Sequence, residues 1–317
     1  MMGNQVLDRY DVVVIGGGAA GLNGALMLGR ARRSVVVIDA GEPRNAPADG
    51  IHGLLGREGM PPSDLLALGR AEAEQYGADI VSATVTRVQR DNEDFVVELS
   101  DTRSVRASRI LLTTGLTDEL PDIPGLRQRW GRDVIHCPYC HGWEVRDQAI
   151  GVLATSPMTV HQALMFRQLS DDVVVFLNGT QLPAEQAEQL AARGITTVPD
   201  LVAGVEVVDD AISGVRLHDG TVIKRQVVVV ATRMVARANF LDALGLQPQE
   251  HPSGMGEFIP TDAMGRTEVP DVWAAGNVTD LMAQVGASAA AGAAAAAQIN
   301  ADLVHSDTLA AVAQYRR

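Results

Sequence analysis

Three observations predict an α/β protein of two domains. The chain has 317 residues, enough for two cores of ordinary size. An apolar β-branched run, DVVVI at 11–15, breaks into GGGAAG and then into a helical stretch through Leu28, which reads as strand, tight turn, helix. A second series of strand-like runs begins at residue 149. The composition, 46% hydrophobic and 21% charged, is that of a globular chain without extended disorder.

The first element carries a dinucleotide fingerprint. Gly16, Gly18 and Gly21 match G-x-G-x-x-G: the first permits the turn, the second lets the backbone approach a pyrophosphate, and the third lets helix and strand pack closely. The phosphates would sit on the helix N-terminus. A second apolar strand, 34–38, ends in Asp39, placed to bind the ribose hydroxyls. Strand, helix and terminal acid together weigh against a glycine-rich loop without a ligand. The fingerprint serves FAD as well as NAD.

Gly, Pro and Asn mark 41–59 as a loop. Alternation in 81–88, 95–99 and 104–110 predicts a small antiparallel sheet. Residues 109–115, RILLTTG, read as a buried strand ending in a small-residue turn, with LPDIPG following at 120–125. TDAMGRTEVPDVWAAGNVTD, 261–280, reads as a short hairpin and a strand ending at Gly276-Asn277; a helix follows from about Gln284 through the alanine run. That run is too short and too weakly apolar to cross a bilayer. The N-terminus lacks a basic segment followed by an apolar one, so no secretory leader and a cytoplasmic protein are expected.

The only two cysteines lie in HCPYCHGWE, 136–144. In Cys137-x-x-Cys140 one thiol can be held as thiolate while the other closes a disulfide, so the pair can make and break one S–S bond. His136 and His141 flank it, and either imidazole can exchange a proton with a thiol near neutral pH. The competing readings are half of a zinc site or two buried thiols. Zinc wants four ligands, and no second CxxC or spaced His pair completes a site, so no metal is expected. A net charge of −13 argues against nucleic acid and anionic lipid, and 4% aromatic residues removes the stacking platforms.

In order and spacing these pieces resemble the low-molecular-weight thioredoxin reductases, flavoproteins with two Rossmann-like three-layer dinucleotide-binding domains, the second inserted in the first. The resemblance implies an FAD domain of 1–120 and 249–317 and an insert of 121–248 that carries the cysteines. It also implies FAD contacts at Gly16, Gly18, Ala19, Ala20, Gly21, Asp39, Ala40, Arg44, Asn45, His52, Val85, Thr114, Gly115, Gly276, Asn277, Gln284 and Val285. Asn277 stands where that family has an Asp facing the ribityl chain; an amide still hydrogen-bonds a hydroxyl. The family also pairs through its flavin domains, so a homodimer is expected.

The insert departs from the family. Its strand at 149–153 leads into ATSPMTVHQAL, which has no glycine at the turn, and the next strand, 173–177, ends in Asn178-Gly179 where the family has basic residues for the NADPH 2′-phosphate. Both halves of the nicotinamide site are missing, while 184–193 still reads as a helix and 205–208, 212–217 and 226–231 as strands. Such a chain is similar to the flavin-dependent dithiol oxidases of the holomycin, gliotoxin and romidepsin type, with a Cys-x-x-Cys followed by His where ordinary thioredoxin reductases have Asp. The implied activity is closure of a disulfide in a small-molecule dithiol, with O2 as acceptor. Cys137 would take the mixed disulfide, Cys140 would pass electrons to FAD, and His141, then His136, would move protons. The alternatives are a thioredoxin reductase fed by a protein donor such as ferredoxin, and a redox sensor without turnover.

Overall fold

The computed structural model describes residues 7–317, so the leader expectation at the extreme N-terminus lies partly outside the described residues. The chain forms two compact units. One comprises residues up to 46, 61–117 and 234–317; the other comprises 47–60 and 118–233.

In the first unit, residues Val12 to Ile15 are buried on both faces of a sheet, which is why they read as a continuous apolar run rather than an alternating one. The Arg9–Ile15 strand pairs in parallel with Val35–Asp39 on one side and with Ser104–Leu112 on the other. Asp79–Ser82 and Val272–Ala274 extend the parallel part. On one face, Val12, Val14, Val35 and Val37 pack with Ala25 and Leu28 of the Ala19–Arg30 helix and Ala295, Ala296 and Ile299 of the Val285–Tyr315 helix. On the other, Val13, Ile15, Val36 and Ile38 pack with Phe95, Val97, Ala236 and Leu241.

The antiparallel strands Val85–Asp91 and Asp94–Leu99 do form, but they are not a separate sheet. The Ser104–Leu112 strand pairs with Arg9–Ile15 from Arg106 to Leu112, with Asp94–Leu99 through Ser104 to Ala107, and with Val272–Ala274 through Ile110 to Leu112, so all seven strands join. Residues 79–82 belong to the parallel part, not to the antiparallel one expected from 81–88.

The second unit has five parallel strands in the order Thr196–Val198, Val173–Phe176, Ile150–Leu153, Val227–Val230, Val134–Ile135. A three-stranded antiparallel sheet, Val202–Val208, Ala211–Leu217 and Val222–Ile223, packs beside it through Val202, Ile212, Val215 and Leu217. The chain runs between the units at Leu116–Glu119 and Arg233–Ala236, and these two strands pair.

Two stretches fall outside the units in which the sequence placed them. Residues 234–248 pack in the first unit, because Ala236, Ala238, Leu241 and Leu246 fill one face of its sheet. Residues 47–60 pack in the second, with Pro47 against Gly131; a Cβ on Gly131 would lie 2.4 Å from that proline. Among the described residues no helix is long and apolar enough to cross a membrane.

Candidate active site

The glycine turn of the first unit is built for close approach. Gly16 has φ +106°, a conformation that favours glycine, and a Cβ there would sit 2.5 Å from the Thr113 carbonyl oxygen. A Cβ on Gly21 would lie 1.9 Å from the carbonyl oxygen of Gly16. The Thr113 hydroxyl, buried, lies 2.8 Å from that same carbonyl oxygen and 3.0 Å from that of Ile15, tying the end of one strand to the turn after its neighbour.

Gly18 caps the N-terminus of the Ala19–Arg30 helix without a side-chain cap, and a Cβ on it would meet no protein atom within 4 Å. The helix therefore presents bare backbone N–H groups to open space, the cradle that a diphosphate needs. The Thr114 hydroxyl, beside this turn, is buried without a hydrogen-bond partner. These features fit FAD.

Asp39 ends its strand as expected, but its carboxylate is partnered within the protein. The Gly17 N–H donates to Oδ1 at 3.1 Å, and Arg70 pairs with Oδ2 at 3.0 Å. A Cβ on Gly17 would fall 2.7 Å from the carboxylate, so the middle glycine of GGG is needed for this approach. Neither Gly17 nor Arg70 was singled out from the sequence. Arg70 lies 31 positions from Asp39 on the Pro62–Gln75 helix and carries no local signal.

Asn277 does something an aspartate cannot do. Its Nδ2 donates to the carbonyls of Ala283 at 2.9 Å, Asp280 at 3.0 Å and Leu281 at 3.4 Å, fastening the loop that enters the long C-terminal helix. Gly276, φ +81°, sets the turn before it; a Cβ there would touch Ala20 at 2.9 Å. Gln284 is the N-cap of the C-terminal helix and Val285 its first residue. Ala19 and Ala20 open the glycine-turn helix, Thr114 and Gly115 follow Thr113, and all belong to the same unit as Asp39. Ala40 is exposed, Arg44 and Asn45 are half-buried, and Val85 is in the core at the start of an antiparallel strand. His52, grouped with these by resemblance, lies in the second unit.

The second unit holds the cysteines. Cys137 and Cys140 are joined in a disulfide, with Cα atoms 5.3 Å apart. The sequence makes this turn locally. Cys137 is extended and caps a single helical turn, Pro138–His141, and its carbonyl accepts from Cys140 and His141 N–H at 3.3 and 3.2 Å. Proline suits the first helical position because the N–H it lacks would have no partner there. Gly142 must be glycine, since a Cβ would lie 2.1 Å from the Pro138 carbonyl oxygen and 2.4 Å from Leu169.

Both ring nitrogens of His141 are buried without a partner. Burial holds its proton affinity below the ordinary histidine range, an effect opposed by the nearby Glu144 and Asp49 and reinforced by His52. Gln162, on the adjoining Thr159–Phe166 helix, donates to the His136 carbonyl at 3.2 Å and leaves its own Oε1 buried and unpartnered. A neutral buried imidazole beside a disulfide can take a thiol proton without first losing one of its own. Among the described residues there is no cluster of His, Cys, Asp and Glu able to hold a metal ion.

The nucleotide-type turn of this unit is closed by its own side chains. Ser156 Oγ accepts from the N–H of Met158, the helix cap, at 3.1 Å, and its carbonyl accepts from the Thr159 hydroxyl at 2.7 Å. Thr155 donates to the Ala231 carbonyl at 2.9 Å, and Pro157 has no N–H to offer. At the end of the next strand Asn178, φ +48°, accepts from Val202 N–H at 2.9 Å and so begins the antiparallel sheet.

The family profile for the pyridine nucleotide-disulphide oxidoreductases matches residues 10–297. The chain is 32% identical over 290 residues to thioredoxin reductase tcpT of Claviceps purpurea, covering 84% of this chain and 86% of that one. It is 29% identical over 319 residues to thioredoxin reductase sirT of Leptosphaeria maculans, covering 95% and 96%. Its fold superposes on the crystal structure of HlmI with a TM-score of 0.93 at 46% identity, over 99% of both chains. The chain thus belongs to the pyridine nucleotide-disulphide oxidoreductase family, as an FAD-binding flavoprotein of the thioredoxin reductase type.

Proposed function

We propose that this oxidoreductase is an FAD-dependent dithiol oxidase, which closes an intramolecular disulfide in a small-molecule dithiol with dioxygen as electron acceptor and hydrogen peroxide as product. One contrast carries the reading: an oxidisable Cys137–Cys140 pair beside a buried, unpartnered imidazole, in a unit whose nucleotide-type turn has no glycine, lacks an N–H at Pro157 and has given the Met158 N–H to Ser156. With no nicotinamide to deliver electrons, they enter through the thiols. The likeness to HlmI over nearly the whole chain supports the same reading.

In the forward half-reaction His141 takes the proton of one substrate thiol, and the thiolate attacks Cys137 Sγ. The Cys137–Cys140 bond breaks, and Cys140 leaves as thiolate and receives that proton. The second substrate thiol, deprotonated in turn, attacks the substrate sulfur held by Cys137. Its attack forms the product disulfide and releases Cys137, which takes the second proton. Two S–H bonds are lost on the substrate and two are gained on the enzyme. FAD, which Gly16, Gly18, Asp39, Thr114 and the Gln284 helix terminus would hold, supplies the two-electron acceptor that restores the cysteine pair.

The reading includes a cytoplasmic homodimer paired through its flavin-binding units, and a surface of net charge −13 that disfavours nucleic acid. Dithiol-dependent peroxide formation by purified holoprotein, without any added electron donor, tests the activity. No oxygen consumption over a panel of small dithiols, alongside ready reduction by ferredoxin, would favour instead a thioredoxin reductase, the name that tcpT and sirT carry, here with a protein donor.

A further inference from the structure

The stretch Pro47–Met60 folds back on itself beside the cysteines. Ile51, buried, accepts from Gly59 N–H at 2.9 Å and donates to the Met60 carbonyl at 2.8 Å, which closes the loop at its base. Within it one carboxylate is held by two donors. Glu58 lies 2.6 Å from His52 Nδ1 through one oxygen and accepts from Gly53 N–H at 2.9 Å through the other. The hydrogen bond from His52, then that from Gly53, keeps the Glu58 carboxyl below the usual range. The opposite ring nitrogen, His52 Nε2, is 3.6 Å from a Glu144 carboxylate oxygen. Glu144 lies three residues beyond His141, on the segment that carries the redox pair.

We propose that His52 is a positioning residue of the redox centre: anchored by Glu58, it holds the Glu144 carboxylate in place, and the two together set how readily His141 takes a proton. The inference rests on the reading of His141 as the acid/base of dithiol exchange. Even with this contact the Glu144 side chain is 45% exposed, and without an anchor its charge would spend its time in water. Fixed on an imidazole that is itself fixed, it stays where its field reaches the buried ring.

The groups that face His141 are few. The loop presents Asp49 and His52, and its own segment presents Glu144. Glu144 and His52 act in opposite directions, one favouring the imidazolium and the other opposing it. The pull of Glu144 is the larger of the two, so losing its anchor should lower the proton affinity of His141 even though the opposing His52 is lost with it.

The test is a pair of substitutions read on His141 itself. Glu144→Gln keeps the shape and removes the anion; His52→Ala removes the ring that anchors it. In oxidised holoprotein with isotope-labelled histidine rings, the His141 resonance, identified by its loss in His141→Asn, is titrated by NMR. Glu144→Gln should lower the titration midpoint by on the order of half a pH unit; His52→Ala, by releasing Glu144, should lower it too, by less, and should lower it no further in the Glu144→Gln background. Anaerobic single-turnover reduction of the Cys137–Cys140 disulfide by dithiothreitol is then followed against pH, and its acidic limb should move in the same direction.

A His141 midpoint that does not fall in His52→Ala, or that falls as far in the Glu144→Gln background as in the wild type, overturns the positioning role, provided thermal unfolding shows the variants folded. Midpoints that fall as expected while the kinetic limb ignores them overturn the acid/base reading of His141, and with it the purpose assigned to His52.

Discussion

The chain builds a strand, a turn and a helix twice, once at 9–30 and once at 150–166, and the two copies spend their turn residues differently. In the first, three glycines keep side chains out of the turn, Gly18 leaves the helix terminus uncapped, and the neighbouring strand ends in a carboxylate. In the second, Ser156 Oγ takes up the Met158 N–H, Pro157 has no N–H, the Thr159 hydroxyl donates to the Ser156 carbonyl, and the neighbouring strand ends in an asparagine that starts another sheet. The ends of the two strands that lead into the turns, Val12 to Ile15 and Ile150 to Leu153, are equally buried. Fold and nucleotide binding are thus separable: buried β-branched strands and an apolar helix face hold the layers together, while a handful of turn atoms decide whether an anion has anything to bind.

The sharpest way to break this contrast is with nicotinamide. Under anaerobic conditions NADPH and NADH should bleach the flavin at least about a thousandfold more slowly than a good dithiol does, because an ion-binding turn without free donors forfeits its binding energy. Rapid bleaching by either, followed by stopped-flow absorbance, would mean that the second turn still binds a nucleotide.

Next in size are the cysteines. Cys137→Ser and Cys140→Ser should each reduce peroxide formation by roughly a thousandfold or more, since one sulfur cannot close the cycle. They should differ in capture: Cys140→Ser retains the attacked sulfur and should form a substrate adduct visible by intact-protein mass spectrometry, and Cys137→Ser should not. Equal adduct formation would reassign the attacked sulfur.

His141→Asn should slow reduction of the disulfide by dithiothreitol at neutral pH by about a hundredfold, the usual contribution of a positioned base. The sign of the pH effect on stability follows from burial. The folded-state proton affinity of His141 lies below its unfolded value, so on acidification the unfolded chain takes the proton first. Stability is then lost from the ordinary histidine range downward, until the pH passes below the folded value. The melting temperature of His141→Asn should therefore fall less on acidification than that of the wild type.

The smallest effects compare the turns directly. Gly21→Ala places a methyl against the Gly16 carbonyl and should cost about 3 kcal/mol along with most of the bound flavin. Pro157→Ala, exposed in the second turn, should change stability by less than about 0.5 kcal/mol. Asn277→Asp loses the only donor its loop carbonyls share and should cost about 1–3 kcal/mol, a melting shift of a few degrees. Flavin absorbance and thermal unfolding measure all three, and matching losses for Gly21→Ala and Pro157→Ala would erase the distinction between the turns.

The local features were legible because their physics is local. Glycines 16, 18 and 21, the strand before them, Asp39, the paired cysteines and His141 each show in a short window, since turn geometry, strand burial and vicinal thiol chemistry depend on near neighbours. The blank at 154–158 was legible for the same reason. What the sequence could not supply was partnership across distance. Arg70 reaches Asp39 from another helix, Thr113 clamps Gly16 from a neighbouring strand, and His52, grouped with the flavin contacts by resemblance, stands between Glu58 and Glu144. Asn277 could be recognised as standing in place of an acid, but its three carbonyl partners exist only once the loop has closed. Sequence alone determined which residue types carry the chemistry, because motifs fix covalent spacing; tertiary packing decided which charges and donors meet, because a side chain's partner is set by which surfaces the core brings together.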